Sequence, residues 1–259
     1  MSEVIYGIHA IGEALKRGGR RFDYVAVSRD RTDNRLQSIL DDCRAQGISV
    51  RTVPREEIDR ETRTNTHQGV MAVTSCKEYS GVEDLLEHKH GKHHFLLVLD
   101  GIEDPHNLGA LLRSADGAGV DGVVIPDRRA AGITGTVVKT SAGASENVSV
   151  ARVVNIARTI EELKEQNVWT VGLDERGDKS YDEVDYNMDC AIVLGAEGKG
   201  LHDLVRRKCD MLVSIPMMGA VSSLNVSVAG GIVMYEVQRQ RRQAQKPTAA
   251  KPAKRRKEE

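Results

Sequence analysis

Aromatic side chains are scarce in this sequence: two Phe, one Trp and six Tyr among 259 residues. A core must then be built from Val, Ile, Leu and Ala, which suits α/β layers better than an all-β sandwich. Cysteine is also sparse. Cys43, Cys76, Cys190 and Cys209 stand far apart with no C-x-x-C pair, so no zinc knuckle or redox motif is legible, and scattered thiols fit a reducing compartment. Long apolar runs are missing. Stretches such as FLLVL at 95–99 are far too short to span a bilayer, so no membrane association is expected. The opening MSEVIYGIHA has neither a basic n-region nor an apolar h-region, and the expected location is the cytoplasm. An excess of positive charge is absent too, with 37 Lys and Arg against 38 Asp and Glu. That excludes a uniformly basic binder but not a local one. From Arg241 to Glu259 there are eight Lys or Arg and two Glu, near +6, which leaves the rest of the chain near −7. The tail reads equally as an RNA-binding arm or as a solvated, disordered end.

What is present is a regular alternation of strands and helices. Residues 4–75 read as a small α/β unit. An extended start passes into an amphipathic helix ending at Gly18-Gly19, then come a strand at 23–28, a helix over 32–47, a strand at 48–53, a polar stretch, and the strand VMAVTS at 70–75. Residues 77–93 are polar, with at most a short helix at 82–90, and read as a linker. Its histidines, His88, His90, His93 and His94, fit a solvated hinge better than a metal patch, because no carboxylate or Cys closes a site among them, so no metal is expected. From Phe95 onward, apolar strands at 95–100, 122–126, 150–154, 169–174, 191–195 and 211–216 alternate with helices over 107–118, 134–142, 155–166, 201–209 and 223–240. Continuously apolar strands are those of a parallel sheet buried on both faces. The expected boundaries are 1–76, a linker at 77–93, a second domain at 94–240 and a tail at 241–259.

Ligands in open parallel sheets bind beyond the carboxyl ends of the strands, and three unusual segments sit there. In LDGIEDPHNLGALLRSADGAGV (99–120), Asn107 is placed to cap a helix that carries Gly109 and Arg113. Arg113 has small and apolar neighbours and reads as buried. Its partner is then a phosphate or carboxylate ligand, or a structural carboxylate, and the segment alone leaves both open. In AIVLGAEGKGLHDLV (191–205) a Gly-rich turn follows a strand. It is neither G-x-x-x-x-G-K-[ST] nor G-x-G-x-x-G, and Glu197 within it disfavours a pyrophosphate. In VSIPMMGAVSSLNVSVAGGIVMYE (213–236), Ser223, Asn225 and Ser227 stand where a helix opens, followed by small residues.

Together these segments resemble the SpoU/TrmH branch of the SPOUT superfamily of RNA methyltransferases. The motif N-x-G-x-x-x-R is read in Asn107-Leu-Gly109-Ala-Leu-Leu-Arg113, G-x-E-x-x-G in Gly195-Ala-Glu197-Gly-Lys-Gly200, and I-P-M…S-S-L-N-V-S-x-A in Ile215-Pro-Met217 with Ser222-Ser223-Leu224-Asn225-Val-Ser227-Val-Ala229. Residues 4–75 are similar to the family's small ribosomal-protein-like RNA-binding domain, through IYGIHAIGEAL and THQGVMAV. The resemblance implies a parallel-sheet methyltransferase domain threaded into a trefoil knot, with the smaller α/β domain before it. It implies S-adenosylmethionine as methyl donor, held by Gly195, Ile215 and Leu224. It implies a homodimer, each site borrowing groups from the partner, and a ribose 2′-hydroxyl as acceptor, in a guanosine of large-subunit ribosomal RNA. Asn107, Arg113, Glu197, Ser223 and Asn225 are the implied catalytic set. A permanently protonated Arg113 is a poor base, so it is read as a clamp on phosphate and hydroxyl, with the other four orienting it and the ribose. The rivals are a transfer-RNA 2′-O-methyltransferase and a non-catalytic ribosomal-RNA-binding assembly or resistance factor. A generic nucleotide-binding enzyme is disfavoured by the missing phosphate loops.

Overall fold

The computed structural model describes residues 2–31 and 33–245. The expected basic tail lies outside the described residues beyond position 245.

The N-terminal part runs β1 (Ser2–Tyr6), α1 (Ile8–Arg17), β2 (Phe22–Ser28), α2 (Asn34–Ala45), β3 (Val50–Val53), α3 (Arg55–Thr62) and β4 (Val70–Ser75). Helix α1 buries Ile8, Ile11, Ala14 and Leu15, the spacing of one helical face. It stops at Gly18, whose φ of 68° is left-handed. The last strand, β4, inserts between β1 and β2, antiparallel to both, and β3 pairs parallel to β2, giving the order β1-β4-β2-β3. The stretch read only as polar contains α3. It buries a single apolar side chain, Ile58, too little for a periodicity signal.

The remainder runs α4 (Val82–Glu87), β5 (Phe95–Asp100), α5 (Pro105–Ala118), β6 (Gly122–Pro126), α6 (Gly135–Thr140), α7 (Ala144–Asn147), β7 (Ser149–Val153), α8 (Ile156–Glu165), β8 (Trp169–Leu173), β9 (Lys179–Ser180), β10 (Cys190–Gly195), α9 (Asp203–Lys208), β11 (Met211–Ser214) and α10 (Val226–Ala244). Its strands form one parallel sheet in the order β7-β6-β5-β10-β8-β11-β9. Every residue of β5 and β10 is buried, as central strands covered on both faces require. The core is aliphatic, with Phe95 and Tyr186 its largest fully buried side chains.

Four local readings change. Asn107 does not cap α5; Asp104 does, accepting from His106 N at 2.8 Å with Pro105 at the first helical position. The helix read over 134–142 is two, broken by left-handed Ala142 (φ 53°) and Gly143 (φ 89°). The last helix begins at Val226, capped by Asn225, and continues to Ala244, so Ser223 precedes it. The four histidines diverge: His90 Nδ1 bonds Asp121 at 2.9 Å, while His93 Nδ1 and His94 N bond Asp189 at 3.2 and 2.8 Å.

The two sheets are joined by contacts buried between them. Arg20, just before β2, donates Nε and Nη2 to the Glu146 carboxylate of α7 at 2.8 and 2.9 Å. Its Nη1 reaches Glu3 of β1 and Ser75 O. The Lys77 ammonium donates to Ser145 O and, at 2.8 Å, to Val148 O, and burial pulls it down to about 8. The segment 77–93 also lies on the larger sheet: Val82 and Leu85 are buried, and Ile133 N donates to Tyr79 Oη at 2.9 Å. At its far end the Arg241 guanidinium donates to the carbonyls of Tyr186, Met188, His93 and His94 at 2.8–3.2 Å. That ties α10 to the start of β5.

Candidate active site

Strands β8, β10 and β11 end together, and the loops that leave them enclose a cavity of about 670 Å³. That volume suits a cofactor-sized molecule. The β10 loop builds one wall. It folds back on itself through Ala196 N to Gly200 O at 3.0 Å and Gly200 N to Ala196 O at 2.9 Å. A Cβ on Gly195 would lie 2.0 Å from the Gly200 carbonyl carbon, so only glycine permits the closure. The loop is latched from outside by Asp100, at the end of β5, which accepts from His202 N at 2.8 Å and His202 Nδ1 at 2.9 Å. The β11 segment supplies Ile215, Met217 and Ser222 to Asn225 as the opposite wall.

A continuous hydrogen-bond chain connects the three segments on the cavity's border. Asn225 Oδ1 caps α10 by accepting from Ser227 N at 2.9 Å and Ser227 Oγ at 2.6 Å. Its Nδ2 donates to Asn107 Oδ1 at 3.1 Å. Asn107 Nδ2 in turn donates to Glu197 Oε1. Because Asp104 does the capping, the Asn107 amide is free for this bridge. Asn107 is 8% exposed. An amide whose donor and acceptor are both engaged in a buried position has a fixed orientation.

The structure thus places Gly195, Glu197, Ile215, Ser223, Leu224 and Asn225 on the cavity and Asn107 behind Glu197 and Asn225. Arg113 stands apart from them. It was read as buried, but it is exposed on α5, since Leu111, Leu112 and Ala115 take the core-facing positions. No carboxylate pairs with it among the described residues, which removes the structural ion pair from the two readings left open. Asp174, Glu175 and Arg176 after β8 also line the cavity and were not singled out. The strand WTVGL preceding them was legible, and the rule that ligands sit at strand carboxyl ends points to that loop. Asp100 was equally legible as a strand-terminal carboxylate.

Among the described residues no three His, Cys, Asp or Glu side chains converge as a metal site. Nor is any helix among them long and apolar enough to cross a membrane.

Residues 94–235 match the model of the SpoU rRNA methylase family, and residues 4–80 match that of RNA 2′-O ribose methyltransferase substrate binding. A 23S rRNA (guanosine-2′-O-)-methyltransferase RlmB of Yersinia pestis is 45% identical over 244 residues, covering 93% of this chain and 98% of its own. The fold is shared with the SpoU methyltransferase AviRb from Streptomyces viridochromogenes, crystallised with AdoMet, at a TM-score of 0.79 and 23% identity over 93% of this chain and 91% of that one. The A. aeolicus TrmH/SpoU tRNA modifying enzyme, at 29% identity and a TM-score of 0.54, covers 62% of this chain and 83% of its own. With a family model spanning more than half of its length and a relative of this identity along nearly all of it, the chain belongs to the SpoU rRNA methylase family.

Proposed function

We propose that the protein transfers a methyl group from S-adenosylmethionine to the ribose 2′-hydroxyl of a guanosine in 23S ribosomal RNA, in the cytoplasm. The observation that carries this reading is the chain Ser227–Asn225–Asn107–Glu197 along a cofactor-sized cavity, in a chain whose relatives bear that activity's name. The smaller domain, near residues 1–76, takes the RNA; the larger, near 94–240, takes the methyl donor, with 77–93 connecting them.

The cavity walls fit such a donor. The glycine turn at Gly195 exposes backbone N–H and C=O groups, Ile215 and Leu224 offer apolar contact, and Asp174 and Glu175 in the lining offer carboxylates for hydroxyls or a cationic centre. When bound, S-adenosylmethionine supplies an electrophilic methyl group. The rest falls to this chain. The ribose hydroxyl is a weak nucleophile near neutral pH. Glu197 has one oxygen occupied by Asn107 and lines the cavity, where it orients the ribose together with Ser223 and Asn225. Arg113 holds the adjoining phosphate and the 2′-oxygen through its planar fork, and the hydroxyl proton passes to phosphate or solvent. Positioning of this kind supplies several kcal/mol of the barrier. The trefoil knot is part of the reading: β10 returns between β5 and β8 before β11 adds outside β8, an order that supports a threaded C-terminal segment.

Arg113 reaches a cavity by way of a second copy of the chain. Val228 and Tyr235, seven residues apart on α10, are 51% and 49% exposed, and Tyr235 Oη packs at Gly117 of α5, the helix that bears Arg113. The homodimer buries these two side chains against the partner copy. Tyr235→Glu is expected to convert a dimeric parent to monomer in sedimentation velocity. A parent that is itself monomeric contradicts the dimer.

Gly195→Ala is expected to weaken S-adenosylmethionine binding by at least roughly tenfold, about 1.4 kcal/mol, in calorimetric titration, because the added methyl group forces the 195–200 turn open. Unchanged affinity would remove that turn from the donor site. The acceptor is tested by incubating the protein with labelled donor and, separately, protein-free 23S rRNA and bulk transfer RNA. Label in rRNA alone is expected. Label in transfer RNA favours the rival acceptor. Label in neither leaves a non-catalytic binder.

A further inference from the structure

Two N-terminal stretches, IYGIHA and THQG, have no part in the cavity, yet they meet at one place on the seam between the sheets. Gly7 follows β1 with φ 96°. A Cβ there would lie 2.8 Å from both Cδ and Nζ of Lys139 on α6. Glycine at position 7 is therefore the bed on which a lysine from the other domain lies. Beside it stands Gln68, left-handed at φ 57° although it carries a side chain. The turn is held by His67, fully buried. Its Nδ1 accepts from Gly69 N at 2.9 Å, which leaves its Nε2 to donate to Asp59 at 2.8 Å. The Gln68 Oε1 is occupied by Ile8 N at 3.1 Å, so Gln68 offers its amide N–H groups outward. Arg31 completes the group: Nη1 donates to Gln68 O and Nε pairs with Asp33, while Nη2 has no partner among the described residues.

Apart from the Asp33 carboxylate paired with Arg31, the cluster presents donors. The Lys139 ammonium has neither hydrogen bond nor ion pair among the described residues. Burial and the neighbouring Arg31 cation both press its ammonium below the usual lysine range. Asp33 answers Arg31 but not Lys139. Two like charges from different domains, held at a fixed place by the buried Arg20–Glu146 pair, repel each other, and an anion between them relieves that repulsion. The seam also leads to the active site: Thr140, next to Lys139, meets His106 Nδ1 at 3.5 Å, and His106 adjoins Asn107.

We propose that Lys139, Arg31 and the Gln68 amide form a subsite for a backbone phosphate of the substrate RNA, where the strand crosses from the small domain toward the methyl-transfer cavity. The inference rests on RNA being the substrate. It is tested by equilibrium binding of a 23S rRNA transcript to the full-length parent, Lys139→Gln and Lys139→Arg over a series of salt concentrations, without methyl donor. Loss of one phosphate contact lowers the slope of log K against log salt by about 0.7–0.9. Lys139→Gln is expected to show that loss, Lys139→Arg to keep the parent slope, and both to bind S-adenosylmethionine as the parent does. A parent slope retained in Lys139→Gln overturns the subsite, as does weakened donor binding in that variant, which would reveal general damage. A parent that binds RNA with this slope change but transfers no methyl group contradicts the proposed reaction and leaves the subsite standing. A parent that does not bind RNA overturns both.

Discussion

Arg113→Ala is expected to lower kcat for methyl transfer by on the order of 10²–10³-fold, the cost of deleting one pre-placed donor from a polar transition state, with S-adenosylmethionine affinity unchanged. The separation of the two effects follows from where the side chain stands. Arg113 is on the exposed face of α5 and is not part of the cavity wall, so its removal leaves the donor site intact. It has no carboxylate partner among the described residues, so nothing in the fold explains it as a structural ion. A guanidinium is a donor with no acceptor site, so it does not take the hydroxyl proton. Arg113→Lys keeps the charge but not the planar two-pronged geometry, and is expected to recover only part of the rate. Single-turnover kinetics on 23S rRNA, beside calorimetry with the donor, checks both. Transfer within twofold of the parent in Arg113→Ala would contradict the clamp.

Arg20→Met is expected to cost roughly 3–5 kcal/mol at the junction of the two domains, the usual penalty for stranding one partner of a buried ion pair. The Arg20 side chain is fully buried and that of Glu146 nearly so. Glu146 would lose both of its guanidinium bonds, and Ser75 O the one at 3.0 Å. The cost is local to the junction, so urea titration followed by proteolysis should show the domains separating before the parallel sheet melts. Arg20→Met combined with Glu146→Leu is expected to regain part of the loss, because replacing both charges removes the stranded one. Equal urea profiles for the parent and Arg20→Met would show that the pair does not hold the domains together.

How much of this could be read from the chain alone depended on how local the signal was. The parallel sheet was legible because FLLVLD and AIVLG are continuously apolar, and α1 because its apolar residues recur along one face. Helix α3 was not, with one buried side chain to mark it, nor was β9, which is two residues long. Asn107 was singled out but given a cap's role. The Asp104-Pro105 pair three residues earlier is the stronger helix start, and seeing that frees the amide for Glu197 and Asn225. Arg113 was read as buried from its neighbours, although neighbours in sequence point to different faces of a helix. Arg20–Glu146 and the seat of Lys139 on Gly7 had no local signature. Each joins residues more than 120 positions apart, and only the packed domains bring them together.

The central claim, methyl transfer to a ribose oxygen, is tested most directly by digesting 23S rRNA after reaction with the protein and labelled donor, and identifying the labelled nucleoside by mass spectrometry. The label is expected in 2′-O-methylguanosine, at a linkage that resists alkaline cleavage. Label in a base-methylated nucleoside, or its absence from the RNA altogether, would contradict it.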